Sequence, residues 1–215
     1  MDIKGLIEKY KIDIEKLKKE QEKLSKQIEI KDSEFPFDKF CAIDNSFIKN
    51  KMISAIIVCD KDFEILDKSY SFSKLNFPYI PGFRAYRELP GMLEAFNKLR
   101  EKPDVVFIFG QGITHPRLGI ASHFSISTGL PTIGIANNIK DCEIKKEDIL
   151  KNNKKVGKVL IGKPGSRPLY ISPGNLISIK KSYELCKNFI KKPHKLPEPL
   201  YLSGKYARKI KKELI

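Results

Sequence analysis

The sequence predicts an α/β fold: a mixed sheet with three antiparallel and then parallel strands, flanked by helices and extended by a long N-terminal helix. Three observations carry this reading. Residues 40–73 hold three apolar, strand-like runs joined by links short enough for hairpins. Residues 105–136 then alternate strand, helix and strand, the signature of parallel pairing through crossovers. Ahead of both, Ile7, Tyr10, Ile14, Leu17, Gln21, Leu24 and Ile28 recur at alternating spacings of three and four, which makes a helical seam.

Taken in order, the seam predicts one helix over residues 4–30, with Lys and Glu mixed on its other faces and Gln21 interrupting the stripe. A seam this short suits a helix packed on its own domain better than a coiled coil, although a partner protein docking there is the alternative. A break over residues 33–37 separates a helical segment, 1–32, from a core domain, 37–215. Strands are expected at 40–47, 52–60 and 63–73, a Pro/Gly/aromatic loop at 74–89, and an amphipathic helix at 90–101 carrying Met92, Leu93, Phe96 and Leu99. Strand 105–109, helix 115–128 and strand 132–136 follow, then strands 156–161 and 169–172 and helices 178–192 and 199–214. This order of elements is that of the ribonuclease H-like fold.

Composition narrows the function classes. No segment approaches the roughly 18 uninterrupted apolar residues of a membrane-spanning helix, and the charged N-terminal helix does not read as a signal peptide. A cytoplasmic protein with no membrane partner is expected. Cys41, Cys59, Cys142 and Cys186 form no Cys-x-x-Cys pair, and His115, His123 and His194 lack zinc spacing, so reduced thiols and no zinc site are expected. The net charge of +15 is unevenly spread. Residues 151–215 hold 17 Lys or Arg against Glu184, Glu198 and Glu213, a net of +14, which leaves a net of +1 for residues 1–150. A charge concentrated in this way suits a polyanion such as a nucleic-acid backbone.

Several residues stand out chemically. Asp44 interrupts an apolar strand, where a carboxylate is costly unless it is paired or binds a metal. Glu88 ends Tyr86-Arg87-Glu88 ahead of a helix, and together the two acids would offer hard oxygen ligands to Mg²⁺. As a bland alternative, Asp44 faces solvent and Glu88 answers a helix dipole. Pro78-Tyr79-Ile80-Pro81-Gly82 fixes an aromatic and an aliphatic side chain between two prolines, a wedge suited to entering a base stack or else a stiff loop that packs inward. Gly110-Gln111-Gly112 is a close-approach turn whose amides could hold a base edge or phosphate. His115 and Arg117 open the next helix, where they could face phosphate or simply cap and cover it.

Taken together these segments resemble the endonuclease V family from about residue 37 to residue 200. The resemblance is carried by Pro78-Tyr-Ile-Pro-Gly-Phe-Arg-Ala-Tyr-Arg-Glu88, Gly112-Ile-Thr-His-Pro-Arg117, Pro131-Thr-Ile-Gly-Ile-Ala136, Tyr170-Ile-Ser-Pro-Gly174 and Leu196-Pro-Glu-Pro199. It implies a ribonuclease H-like fold and recognition of deoxyinosine in DNA or inosine in RNA. It also implies Mg²⁺- or Mn²⁺-dependent cleavage of the second phosphodiester 3′ to the lesion. By the same resemblance Asp44 and Glu88 match metal-site acids, His115 a histidine near the metal, Tyr79 the strand-separating wedge, and the turn at Gly110, Gln111 and Gly112 part of the base pocket; Ile80, Pro81 and Arg117 are expected to add nucleic-acid contacts.

The chain departs from the family at four places. Phe109 stands where a second metal-binding aspartate is expected, Gln111 where many members have His, Asn137 in place of an active-site lysine, and Asn175 where a His is frequent. Asp104 lies at the far end of the same strand as Phe109, about 16 Å away at roughly 3.3 Å per residue. Weakened metal binding and impaired hydrolysis are therefore expected, because each lost charge-stabilising group commonly costs about 10²–10³ in rate. Three readings follow: a binding protein for inosine-containing nucleic acid that has lost cleavage, an active endonuclease with a rebuilt site, and a non-catalytic subunit that recruits a partner through its N-terminal helix.

Overall fold

A computed structural model describes residues 2–32 and 36–215, so the predicted break at 33–37 lies mostly outside the described residues. Strands β1 (Phe40–Ile48), β2 (Lys51–Cys59) and β3 (Ile65–Lys74) form an antiparallel meander, followed by helix α3 (Arg84–Asn97). Strand β4 (Val105–Phe109), helix α4 (Ile120–Thr128) and strand β5 (Thr132–Ala136) make the parallel crossover. The mixed sheet runs in the order β3-β2-β1-β4-β5 and continues through β9 (Leu169–Asn175), β8 (Lys154–Leu160), β7 (Asp148–Lys151) and β6 (Glu143–Lys145). Only β1 with β4 and β4 with β5 pair in parallel, whereas the strands after β5 join antiparallel. The short β6–β7 hairpin leaves little apolar signal, since Glu143–Lys145 is exposed along its whole length and β7 buries Ile149 alone.

Helices cover both faces of the meander. On one face Ile43, Ile56 and Val58 pack beneath α3 through Ala85, Leu89 and Met92. On the other, Ile53 and Ala55 meet Ala207 and Ile210 of α6 (Glu198–Glu213), while α5 (Ile179–Asn188) supplies Cys186 to the adjoining cluster. Burial on both faces explains why β2 is buried without a break from Met52 to Cys59 and apolar but for Ser54; each fully buried aliphatic side chain there contributes about 1.5–3 kcal/mol. Along β1 the faces alternate: Cys41 and Ile43 point to the α3 side, Phe40 and Ala42 to the α5 and α6 side.

Two predicted elements move. Helix α3 begins at Arg84, six residues before the predicted start, and ends at Asn97. Pro90 suggested a helix start but sits in the helix interior, which places Glu88 inside the helix rather than ahead of it. The predicted N-terminal helix is two, α1 (Ile3–Lys9) and α2 (Ile14–Ser25). Lys11 adopts a left-handed φ of 50° between them, and the Asp13 carboxylate caps α2 by accepting from the Lys16 amide at 2.9 Å. Helix α4 starts at Ile120 rather than 115, since residues 113–118 form turns and Gly119 is the N-cap. Among the described residues no helix is long and apolar enough to cross a membrane, and the four cysteines are free.

Candidate functional site

The carboxyl ends of the parallel strands β1, β4 and β5 converge at one edge, the usual location of ligand crevices in such sheets. The turn after β4 is pinned there by its own backbone. The Gly110 amide donates to the Ile135 carbonyl at 2.8 Å, the Gly112 amide to Ser172 Oγ at 3.1 Å, and the Ala121 amide to the Gln111 carbonyl at 3.2 Å. A Cβ on Gly112 would lie 2.1 Å from the Pro173 carbonyl oxygen, so only glycine lets this turn rest on β9. The amides of Gly110 and Gly112 that the sequence offered to a ligand are thus already engaged, and Gly112 is buried away from the cavity.

Beside this turn opens a cavity of about 640 Å³. It brings together Tyr79, Pro81, Gly110, Gln111, His115 and Arg117 of the predicted site and adds Arg84, Phe109, Asn137, Asn138 and Lys140. Tyr79 is 60% exposed at its rim, whereas Ile80 is 4% exposed and anchors the loop from below. Ile80 therefore does not join Tyr79 as a contact surface, and the tyrosine stands out alone on a buried aliphatic footing. Gln111 donates through Nε2 to the Asn138 carbonyl at 3.1 Å, which ties the glycine turn to the segment after β5.

The opposite wall is braced by the N-terminal helix. Gln21, fully buried, donates to the Gly82 carbonyl at 3.0 Å and lies 3.5 Å from the Leu118 carbonyl. Its Oε1 accepts from Arg117 Nε at 2.7 Å, and the Arg117 guanidinium lies over the Phe83 ring at 5.0 Å. The Tyr86 hydroxyl donates to the Leu17 carbonyl at 3.2 Å. The polar interruption of the seam is thus the contact by which α2 holds the wedge loop, and α2 spends this face on its own domain.

His115 accepts the Arg117 amide on Nδ1 at 3.1 Å, and its carbonyl receives Lys151 Nζ at 2.6 Å. Burial, with the nearby Arg117 and Lys151 charges, lowers its pKa to about 4. At neutral pH the ring is uncharged, with Nδ1 occupied and Nε2 left as the donor.

The two acids sit elsewhere. Asp44 lines a separate cavity of about 120 Å³ with Leu196, Leu200, Tyr201, Gly204 and Arg208, and Phe109 is the one residue lining both cavities. A Cβ on Gly204 of α6 would come within 3.2 Å of Asp44 Oδ2, so α6 lies directly on this carboxylate. Burial raises the Asp44 pKa, helped by the nearby Glu88 charge, while a hydrogen bond from the Asn45 backbone and the Arg208 and Arg84 charges oppose that rise. Glu88, 3% exposed, is bonded through both oxygens: Oε1 accepts from Arg84 Nε at 2.7 Å and Oε2 from Asn45 Nδ2 at 2.7 Å. Asn45 in turn accepts from Ser54 Oγ at 2.7 Å. Asn45 reaches Glu88 beneath α3 while its neighbour Asp44 lies against α6, so the two acids come from opposite sides of β1, yet the Glu88 and Arg84 charges both act on Asp44.

This donor set fits Mg²⁺ poorly. Among the described residues no three His, Cys, Asp or Glu side chains gather where a metal could sit. An octahedral hard cation needs free, convergent oxygens, yet one acid is bonded to an arginine and the expected third ligand is a phenyl ring. Asp104 caps backbone instead, accepting the amides of Asp38 and Lys39 at the far end of the sheet.

Sequence reasoning missed Arg84, Asn45, Gln21 and Lys195. Arg84 stands four residues before Glu88, an ion-pair spacing that becomes visible only once α3 is started early enough. Lys195 Nζ donates to Asn137 Oδ1 at 3.3 Å, bringing an ammonium from a distant loop to the position where the family resemblance expects a lysine.

The sequence profile described as Endonuclease V matches residues 22–205. The Endonuclease V of Thermosipho melanesiensis is 40% identical over 222 aligned positions, covering 99% of this chain and 97% of that one. The crystal structure of the Bacillus subtilis Endonuclease V superimposes with a TM-score of 0.84 at 26% identity over 95% of each chain. That of Ciona intestinalis Endonuclease V, in complex with a 24-mer DNA containing an inosine followed by a ribo-adenosine, superimposes with a TM-score of 0.85 at 23% identity over 94% of this chain and 98% of that one.

Proposed function

The chain belongs to the endonuclease V family, and from that premise we propose that it binds DNA or RNA at a deaminated adenine while family-type phosphodiester hydrolysis is strongly impaired or lost. The observation that carries this reading is the contrast between the two cavities. The larger has an exposed aromatic at its rim, a backbone turn at its floor and room for a flipped purine, which suits a hypoxanthine base whose weak pairing lowers the cost of extrusion. The Ciona structure holds an inosine-containing DNA, which supports the same ligand class. The smaller cavity has an acid but no convergent ligand set, so Mg²⁺ or Mn²⁺ is held weakly at best. The exposed basic face of α6, with Lys205, Arg208, Lys209 and Lys212, runs up to that cavity and suits a phosphate backbone.

One observation favours a second reading, an active enzyme with a rebuilt site: the Lys195 ammonium beside Asn137 restores a positive charge that the substitution removed. A denaturing-gel assay separates the two. End-labelled DNA and RNA, each with one inosine, are incubated in Mg²⁺ and then in Mn²⁺, with Asp44→Ala as control and anisotropy measured on the same strands. Binding that prefers inosine over adenine and weakens about tenfold or more in Tyr79→Ala, without a nick, is the expected result, since one aromatic–base stack contributes about 1–3 kcal/mol. A nick two phosphodiesters 3′ to inosine that disappears in Asp44→Ala establishes the enzyme instead.

A further inference from the structure

We propose that the Arg84 guanidinium, set between the buried acid Glu88 and the larger cavity, takes the place of a divalent metal, so that the chain engages nucleic acid without a divalent cation. The inference rests on the reading above that binding persists without family-type hydrolysis. Four observations converge on Arg84. Its Nε donates at 2.7 Å to Glu88, a carboxylate that is almost wholly buried and would otherwise lack a counter-charge. Its Nη1 donates at 2.8 Å to the carbonyl of Phe109, the residue standing where an acid is expected. A Cβ on Gly110 would lie 3.1 Å from that same nitrogen, so the turn leaves room for the guanidinium. Arg84 also lines the larger cavity, whereas Glu88 does not, so the positive charge rather than the carboxylate faces an incoming ligand.

A planar fork of five N–H donors can bond a carboxylate, a carbonyl and a phosphate together, which is the neutralising and orienting part of a metal's work. It cannot perform the other part. A guanidinium has no coordination site for water and does not generate hydroxide at neutral pH. Replacing a cation that activates water with one that only neutralises keeps the fold and the anion-facing charge and removes the nucleophile. Arg208 beside Asp44 extends the pattern, so each of the two carboxylates has an arginine next to it.

The test is a Mn²⁺ titration followed by electron paramagnetic resonance on the full chain, using the metal alone. The wild type is expected to show no saturable site. Arg84→Met is expected to acquire one, tighter by about tenfold or more, that Glu88→Gln in the same background removes. Should Arg84→Met not fold, because it strands the Glu88 charge, comparison of the wild type with Glu88→Gln decides: a saturable wild-type site that Glu88→Gln abolishes overturns the proposal. Inosine-oligonucleotide affinity in EDTA and in Mg²⁺ at matched ionic strength is the second arm. Equal affinity supports the proposal, and a rise of about tenfold with Mg²⁺ overturns it. A strand that binds under neither condition overturns the proposed function, while the Mn²⁺ titration still decides the role of Arg84.

Discussion

The larger cavity and the acid cleft lie at the same sheet edge and share Phe109, yet they are built to different degrees. Around the cavity the structure is over-determined: a turn held by three backbone donors, glycines where a methyl group would strike backbone, and a buried glutamine joining three elements. In and beside the cleft a phenyl ring and two arginines, rather than further acids, surround the two carboxylates. Under the proposed function, the contrast means that recognition and hydrolysis draw on separable parts of this fold. Holding a base requires a shaped wall, which packing supplies, whereas activating water requires convergent ligands, which one substitution can scatter.

If the cavity is over-determined, the sharpest way to break it is at the glycine turn. Gly112→Ala is expected to destabilise the fold by about 3 kcal/mol or more, because its Cβ would lie 2.1 Å from the Pro173 carbonyl oxygen and neither backbone can move without opening β9. Urea unfolding measures it; a loss under about 1 kcal/mol would mean that the turn is looser than its contacts imply. Gln21→Leu comes next, with an expected loss of about 1–3 kcal/mol from the unpaired Gly82 carbonyl and Arg117 guanidinium. Inosine-strand affinity should fall in parallel, since the same carbonyl holds the loop carrying Tyr79. Lost stability with unchanged affinity would separate α2 from the recognition surface.

Much of this was legible in the sequence, and the parts that were not have physical reasons. The meander and the crossover strands declare themselves because both faces of β2 and β4 are covered, leaving apolar runs that no other element would bury. Strand β6 is exposed along its length and β7 buries Ile149 alone, so the hairpin leaves no period to read. Pro90 points to a helix start, and that reading conceals the Arg84–Glu88 pair. Asp44 and Glu88 are conspicuous as acids in apolar surroundings, but sequence cannot tell which cations fold against them, and here Arg84 beside Glu88 and Arg208 beside Asp44 set their chemistry. Gln21 is visible as a flaw in a seam, and only its partners 61 and 96 residues away turn that flaw into a brace.

The smallest expected effect distinguishes the two regions by sign. The His115 pKa is held near 4, below the ordinary value of 6.5, by burial and by adjacent Arg117 and Lys151. The unfolded chain therefore binds the proton first, and the contribution of neutral His115 is intact above about pH 6.5 and is lost as pH falls toward 4. Buried His123, whose pKa is also lowered, acts in the same direction. Asp44 acts in the opposite direction: burial raises its pKa, so the cost of its ionised form is relieved as pH falls through the folded value toward 3.8. Between about pH 7 and about pH 5.5 the histidines dominate, and His115 alone should lower stability by on the order of 1 kcal/mol, read as a shift of the urea midpoint. In His115→Gln that shift should shrink by its share while the gain at lower pH, set by Asp44, remains. A pH profile unchanged by His115→Gln would place the titrating group outside the cavity wall, and the cavity would then lack the neutral histidine that this structure gives it.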